Sequence, residues 1–346
     1  MSVPSSPDQT LMFAEAAEAP AAVARQAEAC RAPLAALVAA LRATPPRAVV
    51  TLARGSSDNA ATVGRYLIET HLRLLTSSAA PSVASVYEAA PDYAGTLMIA
   101  ISQSGRSPDL LSAAETAKAG GATLAAMVND AASPLAALAD TFLPLMAGPE
   151  RSVAATKSFI ASVAGLIRLV AEWAGDGDLR AAMDALPALL GRAWALDWSP
   201  ALPLLKDAGN LYVVARGHGF GVAQEIALKI KETCGFHAEA FSAAEVRHGP
   251  MAIVGRGFPV LLLGQDDESR DSVAGLAGEF AARGAVVMSA GLGDAPGLVL
   301  PTIDAHPAIQ PLLQAQSFYR LANALAVARG CDPDHPPHLA KVTETL

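Results

Sequence analysis

The strongest constraint in the sequence is an internal repeat that divides the chain into two similar halves. Arg54-Gly55 matches Arg216-Gly217, 162 positions later, and each pair follows an apolar run and precedes a helix-like pattern. Two further pairs of blocks match in the same order at nearly the same offset. The matched blocks are 49–69 with 211–232, 96–102 with 259–265, and 118–128 with 281–291. Because repeated blocks in a fixed order indicate a repeated folding unit, we expect two domains of the same fold.

Each half alternates short apolar runs with longer helical patterns. Runs such as 96–101 and 260–263 are continuously apolar, which is typical of parallel strands buried on both faces. Strands that alternate with helices indicate βαβ units, so the prediction is an α/β fold with two tandem doubly wound parallel-sheet domains. The predicted segments are a helical lead-in (1–42), a first domain (43–175), a helical connector (176–206), a second domain (207–335) and a C-terminal tail (336–346).

Composition and charge exclude several classes of protein. Hydrophobic residues make up 52% of the chain and the net charge is −8, so the chain can fill two cores and has no basic face for nucleic acid. No apolar run reaches the length of a membrane span, and the N-terminus lacks a signal-peptide pattern. The cysteines Cys30, Cys234 and Cys331 lie far apart, without metal-ligand spacing. We therefore expect a reduced, cytoplasmic protein without a bound metal.

Two serine-rich loops in the first half are candidates for a phosphate site. Residues 55–57 follow one predicted strand, and residues 102–107 follow another. Ligands of open α/β sheets lie beyond the carboxyl ends of the strands, where hydroxyls, backbone N–H groups and a helix N-terminus together suit phosphate. The alternative is that these residues only form turns and helix caps. The corresponding loop of the second half, 264–268, is acidic and would repel phosphate, so one phosphate site is expected.

One helical pattern in the second half carries three charged residues on a single face. Glu225, Lys229 and Glu232 are spaced i, i+4 and i+7. A carboxylate beside an amine near a strand end suits proton transfer at a carbon next to a carbonyl. The alternative is an exposed Glu–Lys pair, which is common on helices and only weakly stabilising.

The loop-like stretch 237–250 contains a further candidate for acid–base chemistry. His248 precedes Gly249-Pro250, a turn signal typical of an exposed position, and imidazole exchanges protons near neutral pH. A capping or surface histidine is the alternative, and His237 lies among residues that suit a short strand. Lys341, in the C-terminal tail, is uninformative by itself.

Five motifs in fixed order give the chain a family resemblance. The motifs are Ser102-Gln103-Ser104-Gly105, Val153-Ala154-Ala155-Thr156-Lys157, Ala227-Leu228-Lys229-Ile230-Lys231-Glu232, His237-Ala238-Glu239-Ala240 through His248-Gly249-Pro250, and Leu339-Ala340-Lys341. Together they resemble the isomerase half of glucosamine-6-phosphate synthase and its relatives with SIS domains, from about residue 10 to the end. The resemblance implies two flavodoxin-like domains and a homodimer whose active site is shared between subunits.

The resemblance also implies roles for individual residues. Glu232 matches the base that moves a proton between sugar C1 and C2, and His248 matches a histidine that helps to open the ring and reaches across from the partner subunit. Lys341 matches the tail lysine that contacts or bonds to the open-chain carbonyl, and Lys229 matches a lysine near it. The residues that match phosphate and sugar-hydroxyl ligands are Ser56, Ser57, Ser102, Gln103, Ser104 and Ser107. No metal and no organic cofactor is expected.

Two departures from the synthase pattern point to a particular branch of the family. The chain starts almost directly with its helical lead-in, so we expect no glutaminase domain and no release of ammonia from glutamine. The family's Ser-Gly-Glu-Thr loop is Ser104-Gly105-Arg106-Ser107 here, which resembles the stand-alone deaminases. Arg106 either adds a cation near the phosphate or lies in solvent.

These observations favour a hexosamine 6-phosphate or hexose 6-phosphate as the ligand. The first hypothesis is a deaminase that converts glucosamine 6-phosphate to fructose 6-phosphate and ammonia. A galactosamine-6-phosphate deaminase/isomerase and a deglycase for phosphorylated sugar–amine adducts are alternatives that use the same proton transfer. A non-catalytic sugar-phosphate sensor is a third hypothesis, disfavoured because Glu232, His248 and Lys341 occur together.

Overall fold

The computed structural model describes residues 6–341 and divides them into two compact units. The first-sheet unit consists of residues 21–150, 157–184 and 340–341. The second-sheet unit consists of residues 6–20, 151–156 and 185–339. Each unit contains one parallel sheet with its own helices. No helix within residues 6–341 combines the length and apolar character that crossing a membrane requires.

Helices and strands alternate along most of the chain. The helices are α1 (Leu11–Ala17), α2 (Ala19–Ala43), α3 (Ser56–Leu67), α4 (Ser82–Ser85), α5 (Pro108–Ala119), α6 (Pro134–Leu138), α7 (Lys157–Ala174), α8 (Gly177–Ala195), α9 (Leu202–Leu205), α10 (Gly219–Cys234), α11 (Arg270–Ala282) and α12 (Gln310–Ala328). The strands are β1 (Ala48–Leu52), β2 (Thr76–Ser78), β3 (Thr96–Ser102), β4 (Thr123–Val128), β5 (Thr141–Pro144), β6 (Asn210–Ala215), β7 (His237–Ser242), β8 (Pro259–Leu263), β9 (Val286–Ala290) and β10 (Leu298–Leu300).

The sheet of the first-sheet unit has the strand order β2-β1-β3-β4-β5, with all neighbours parallel. All seven residues of the central strand β3 are buried, as expected for a strand covered on both faces. Met98 of β3 and Leu124 of β4 pack against Leu110 of α5 in the core. The strand order reverses between β1 and β3, which creates a switch point at the carboxyl edge of the sheet.

The sheet of the second-sheet unit repeats this plan with the order β10-β9-β8-β6-β7. Val214, Leu262 and Phe280 lie in its core, and Tyr212 packs edge-on against two further phenylalanines at 4.8 Å between ring centroids. Its switch point lies between β6 and β8. Since both sheets follow the flavodoxin-like order 2-1-3-4-5, the predicted fold class of two tandem doubly wound domains related by duplication is confirmed.

The structure differs from the sequence predictions in the stretch 237–250 and adds detail to the N-terminal lead-in. The loop-like interpretation of 237–250 is wrong for the first part, where the short strand suggested around His237 is present: His237–Ser242 is the parallel edge strand β7, paired with β6. Only the part after β7 is irregular, with short 3₁₀ turns at Glu245–His248 and Pro250–Ile253. The helical lead-in is two helices, α1 and α2, separated at Glu18. The domain boundaries proposed from the sequence stay predictions.

Candidate active site

The two serine loops lie on either side of the switch point in the first-sheet unit. β1 and β3 are hydrogen-bonded neighbours, so their carboxyl ends are adjacent. Ser56 and Ser57 form the first turn of α3 directly beyond β1. The loop 102–107 joins β3 to α5, whose N-cap residue is Ser107. Two helix N-termini and several hydroxyl groups therefore face the same edge, which is an arrangement that suits an anion.

The backbone of the loop 102–107 is held by its own serines. The Ser102 hydroxyl accepts a hydrogen bond from the Gly105 N–H at 2.9 Å, and the Ser104 hydroxyl accepts one from the Arg106 N–H at 3.4 Å. Gly105 has φ +64°, and a Cβ atom there would lie 2.4 Å from Ser133 Oγ. A side chain at this position would clash and strain the backbone, so the loop needs glycine.

The two arginines near these loops are paired with carboxylates. Arg54 contacts the buried Asp109 at 3.0 Å, and Arg106 contacts Asp130 at 2.7 Å. The hydrogen bond from Arg106 holds the pKa of Asp130 below its usual value. Arg106 is half-exposed, and its partner at the surface of the loop is the Asp130 carboxylate. Burial raises the pKa of Asp58, in the first turn of α3.

The charged face of α10 is buried in the second-sheet unit, and the interpretation as an exposed surface pair is wrong. Glu225 and Lys229 are 0% and 1% exposed, with 3.6 Å between Glu225 Oε1 and Lys229 Nζ. Lys229 Nζ also donates to Glu232, whose side chain is 21% exposed. Tyr319 of α12 donates its hydroxyl to Glu225 Oε1 at 3.1 Å. The chain Tyr–Glu–Lys–Glu thus runs from the core to a carboxylate that solvent reaches.

Local sequence explains why α10 presents this face. Ile226 and Ile230 are fully buried, while Gly235, with φ +67°, ends the helix in the left-handed conformation. α12 packs along α10, so the face carrying Glu225 meets another helix instead of water. A buried carboxylate without partners would be strongly destabilising, and Lys229 and Tyr319 supply those partners.

The remaining predicted residues divide between the units. His248 lies in the second-sheet unit with Lys229 and Glu232, and it is exposed at the end of a 3₁₀ turn before Gly249. Lys341 lies in the first-sheet unit with the serine loops, and its ammonium contacts Glu150 Oε2 at 3.1 Å. The structure therefore places Lys229 in contact with Glu232, and it places the serines at one edge of the sheet in the first-sheet unit.

Sequence reasoning missed two residues of these networks, Tyr319 and Glu150. Tyr319 sits in an apolar helix without a motif, and Glu150 lies 191 positions from Lys341. The sequence signal for Glu150 was its position three residues before Val153, the first residue of a motif. Within residues 6–341, no group of three or more His, Cys, Asp or Glu side chains is arranged to hold a metal ion.

The switch point of the second-sheet unit is built differently. Gln265, directly after β8, donates to the Arg216 carbonyl beyond β6 at 2.8 Å and to Ser269 Oγ at 2.9 Å. The acidic pair Asp266 and Asp267 follows it. The glutamine side chain thus bridges the two loops, where the first sheet has short hydroxyl residues.

Comparison with known proteins agrees with this architecture. A family model for the SIS domain matches residues 44–170 and 204–291. The glutamine–fructose-6-phosphate aminotransferase (isomerizing) of Aeropyrum pernix is 36% identical over 307 residues, which is 83% of this chain and 49% of that protein. The chain therefore spans about half the length of the curated relatives it matches.

Solved structures resemble the chain over nearly its whole length. A candidate phosphosugar isomerase from Silicibacter pomeroyi DSS-3 is 42% identical, with a TM-score of 0.90 over 94% of this chain and 100% of that one. A glucosamine-6-phosphate deaminase from Thermotoga maritima has a TM-score of 0.77 at 24% identity, covering 97% and 100%. The second likeness shows the fold alone.

Two parallel sheets of flavodoxin-like order, one with a hydroxyl-lined switch point, define an α/β protein with the architecture of the phosphosugar isomerases. The chain belongs to the SIS-domain family, and the resemblance stated from its motifs is confirmed.

Proposed function

We propose that this protein is a glucosamine-6-phosphate deaminase, which converts glucosamine 6-phosphate to fructose 6-phosphate and ammonia. The observation that carries the proposal is the buried network on α10. It holds the Glu232 carboxylate against Lys229 while leaving it partly open to solvent. A carboxylate fixed in this way is suited to take a proton from a carbon next to a carbonyl. Similarity of fold to known proteins would not by itself identify this reaction.

The substrate's phosphate would bind at the switch point of the first-sheet unit. The helix N-termini of α3 and α5 and their backbone N–H groups favour a doubly charged anion there, despite the net charge of −8. Hydroxyl groups add short donors that fit phosphate and sugar oxygens. The proposed ligands are Ser56, Ser57, Ser102, Gln103, Ser104 and Ser107.

The chemistry would proceed by proton transfers and one hydrolysis. His248 would assist ring opening, which frees the C1 aldehyde, and Lys341 would contact that carbonyl. Glu232 would take the C2 proton to give an enolamine and return it to C1, leaving a ketimine at C2. Water then adds to C2 and ammonia leaves. These steps need no redox group, because the isomerisation and the hydrolysis exchange no electrons with an outside group, and positioned side chains can make the proton transfers.

The proposal includes a homodimer with a shared site. His248 is exposed at the end of a turn, and this position suits a residue that completes the site of a second subunit. Its role in ring opening would then depend on the dimer. A sedimentation or light-scattering measurement beside the activity assay tests this part of the proposal.

The direct test is to follow ammonia and fructose 6-phosphate together after mixing the purified protein with glucosamine 6-phosphate. Equal, protein-dependent release of both products is expected. Release of neither would remove this substrate assignment. Galactosamine 6-phosphate and a phosphorylated fructose–amine adduct, assayed in parallel, identify the related reactions. Binding of glucosamine 6-phosphate by calorimetry without turnover of any of the three would point to a sensor.

A further inference from the structure

Glu150 is a buried carboxylate that no motif assigned to the site. It lies in the segment between β5 and α7, and its side chain is 0% exposed. Oε1 accepts a hydrogen bond from the Ser158 N–H at 3.1 Å, in the first turn of α7. Oε2 accepts from the Ser158 hydroxyl at 2.6 Å and from Lys341 Nζ at 3.1 Å. One carboxylate therefore joins the start of a helix to the tail lysine.

The contacts with Ser158 do not explain why an ionised group is used. A neutral amide or hydroxyl oxygen can accept from the free N–H groups of a helix N-terminus, as the usual N-cap residues show. Burying a carboxylate is costly unless it gains a charged partner. Lys341 is such a partner, and its side chain keeps 25% of its surface exposed. Lys341 thus supplies a charged partner for the Glu150 carboxylate.

A long lysine side chain in a tail has many rotamers, and fixing it loses conformational entropy. A charge-assisted hydrogen bond to a buried carboxylate can offset that loss. Glu150 is rigidly placed because Ser158 holds both of its oxygens. It is therefore a firmly held carboxylate to which the long Lys341 side chain is hydrogen-bonded.

We propose that Glu150 is a positioning residue for Lys341, fixing its ammonium group where the open-chain carbonyl of the substrate would lie. This inference rests on the proposed function, since Lys341 has its role there. Glu150 itself does not touch the substrate. It acts through Lys341, and its contacts with Ser158 serve to hold it in place.

Chemical labelling of Lys341 tests the positioning without any substrate. The full-length protein is acetylated with a water-soluble acetyl ester, and the rate at Lys341 is read by peptide mass spectrometry. Glu150→Gln keeps an oxygen for Ser158 but loses the charge, so acetylation of Lys341 is expected to become several-fold faster. Ser162→Ala, one turn further along α7, removes a hydroxyl bonded to the Ser158 carbonyl and leaves the contacts of Glu150 in place, so it is the matched control with an unchanged rate. Glu150→Asp, one methylene shorter, should give an intermediate rate and serves if Glu150→Gln does not fold.

Turnover of glucosamine 6-phosphate then separates positioning from stability. Glu150→Gln is expected to lower kcat on the order of tenfold, the loss of a charge-assisted hydrogen bond, with little change in KM. In a Lys341→Met background the same substitution should have no further effect on kcat. Equal acetylation rates in the wild type, Glu150→Gln and Glu150→Asp would overturn the inference. If the labelling changes as expected but no variant, nor the wild type, turns over the substrate, the proposed function falls and the positioning of Lys341 stands.

Discussion

The two sheets share one strand order, but their switch points have opposite chemistry. In the first-sheet unit the loops beyond β1 and β3 present hydroxyl groups and two helix N-termini. In the second-sheet unit the loop beyond β8 is acidic, and Gln265 bridges it to the loop beyond β6. The framework was kept after duplication, while the loops diverged. The first unit retains features that suit an anion, and the second carries the buried charges of α10 instead.

A single pair of equivalent positions shows how the divergence works. In the matched blocks 96–102 and 259–265, Ser102 corresponds to Gln265. The short Ser102 side chain accepts a hydrogen bond within its own loop, from the Gly105 N–H. The longer Gln265 side chain reaches the Arg216 carbonyl and lies where a Cβ atom on Gly219 would come within 2.6 Å of it. At this pair of positions the first switch point has a short hydroxyl side chain, and the second is bridged by a glutamine.

The largest expected effect comes from Glu232→Gln, which tests whether the second-sheet unit carries the chemistry. The amide cannot accept the C2 proton, so turnover of glucosamine 6-phosphate should fall by about 10²–10⁴-fold. Binding of the sugar phosphate, measured by calorimetry, should persist because the proposed phosphate ligands lie in the first-sheet unit.

The matched control for this prediction is Glu239→Gln. Glu239 is an exposed carboxylate on β7 in the same unit, with His237 Nε2 at 3.8 Å from its Oε2, and its replacement should leave turnover unchanged. If Glu232→Gln abolished binding together with turnover, the separation of tasks between the units would be lost.

A smaller effect is expected from Gly105→Ala, which tests whether the first-sheet unit binds the phosphate. The left-handed φ costs an alanine about 1 kcal/mol or more, and its Cβ would displace Ser133. The loop 102–107 would shift, so the Kd for glucosamine 6-phosphate should rise on the order of tenfold.

Gly217→Ala is the control in the other unit, since Gly217 has the same φ of +64° beside β6. It should lower Tm by a similar backbone strain and leave the Kd unchanged. Equal weakening of binding by both variants would mean that the two switch points do not differ in the way their loops indicate.

Much of the fold followed from the sequence because the relevant signals are local and repeated. Continuous apolar runs such as 96–101 identify buried strands, and the repeat of Arg-Gly after β1 and β6 places the same turn in both halves. β7 was only partly predicted: His237 was placed among residues that suit a short strand, but the alanines and the glutamate of this segment have weak strand preference. Its alternation of exposed His237 and Glu239 with buried Ala238 was the available signal for an edge strand.

The burial around the candidate site could not be read from spacing. The i, i+4, i+7 pattern of α10 shows which residues share a face, but not whether that face meets water or a helix far away in the chain. α12 begins some 80 residues after α10. Because these two helices pack together, a Glu–Lys pair of a kind that is common on helix surfaces becomes part of a buried network. The contact between Glu150 and Lys341 was hidden for the same reason, because 191 positions separate them.

The smallest expected effect comes from removing one hydrogen bond of the α10 network in the second-sheet unit. Tyr319→Phe leaves Glu225 with Lys229 but without the hydroxyl donor, which should cost about 2 kcal/mol of unfolding free energy. Because Tyr319 is linked to Glu232 through Glu225 and Lys229, kcat should fall a few-fold while KM stays constant. Ser317→Ala, two residues earlier in the same helix and also buried, removes a hydroxyl bonded to the Ala193 carbonyl and should lower stability alone. Denaturant unfolding and steady-state kinetics on both variants provide the measurement. A fall in kcat for Ser317→Ala equal to that for Tyr319→Phe would assign the effect to general loosening of α12, and the special role of the buried network would be withdrawn.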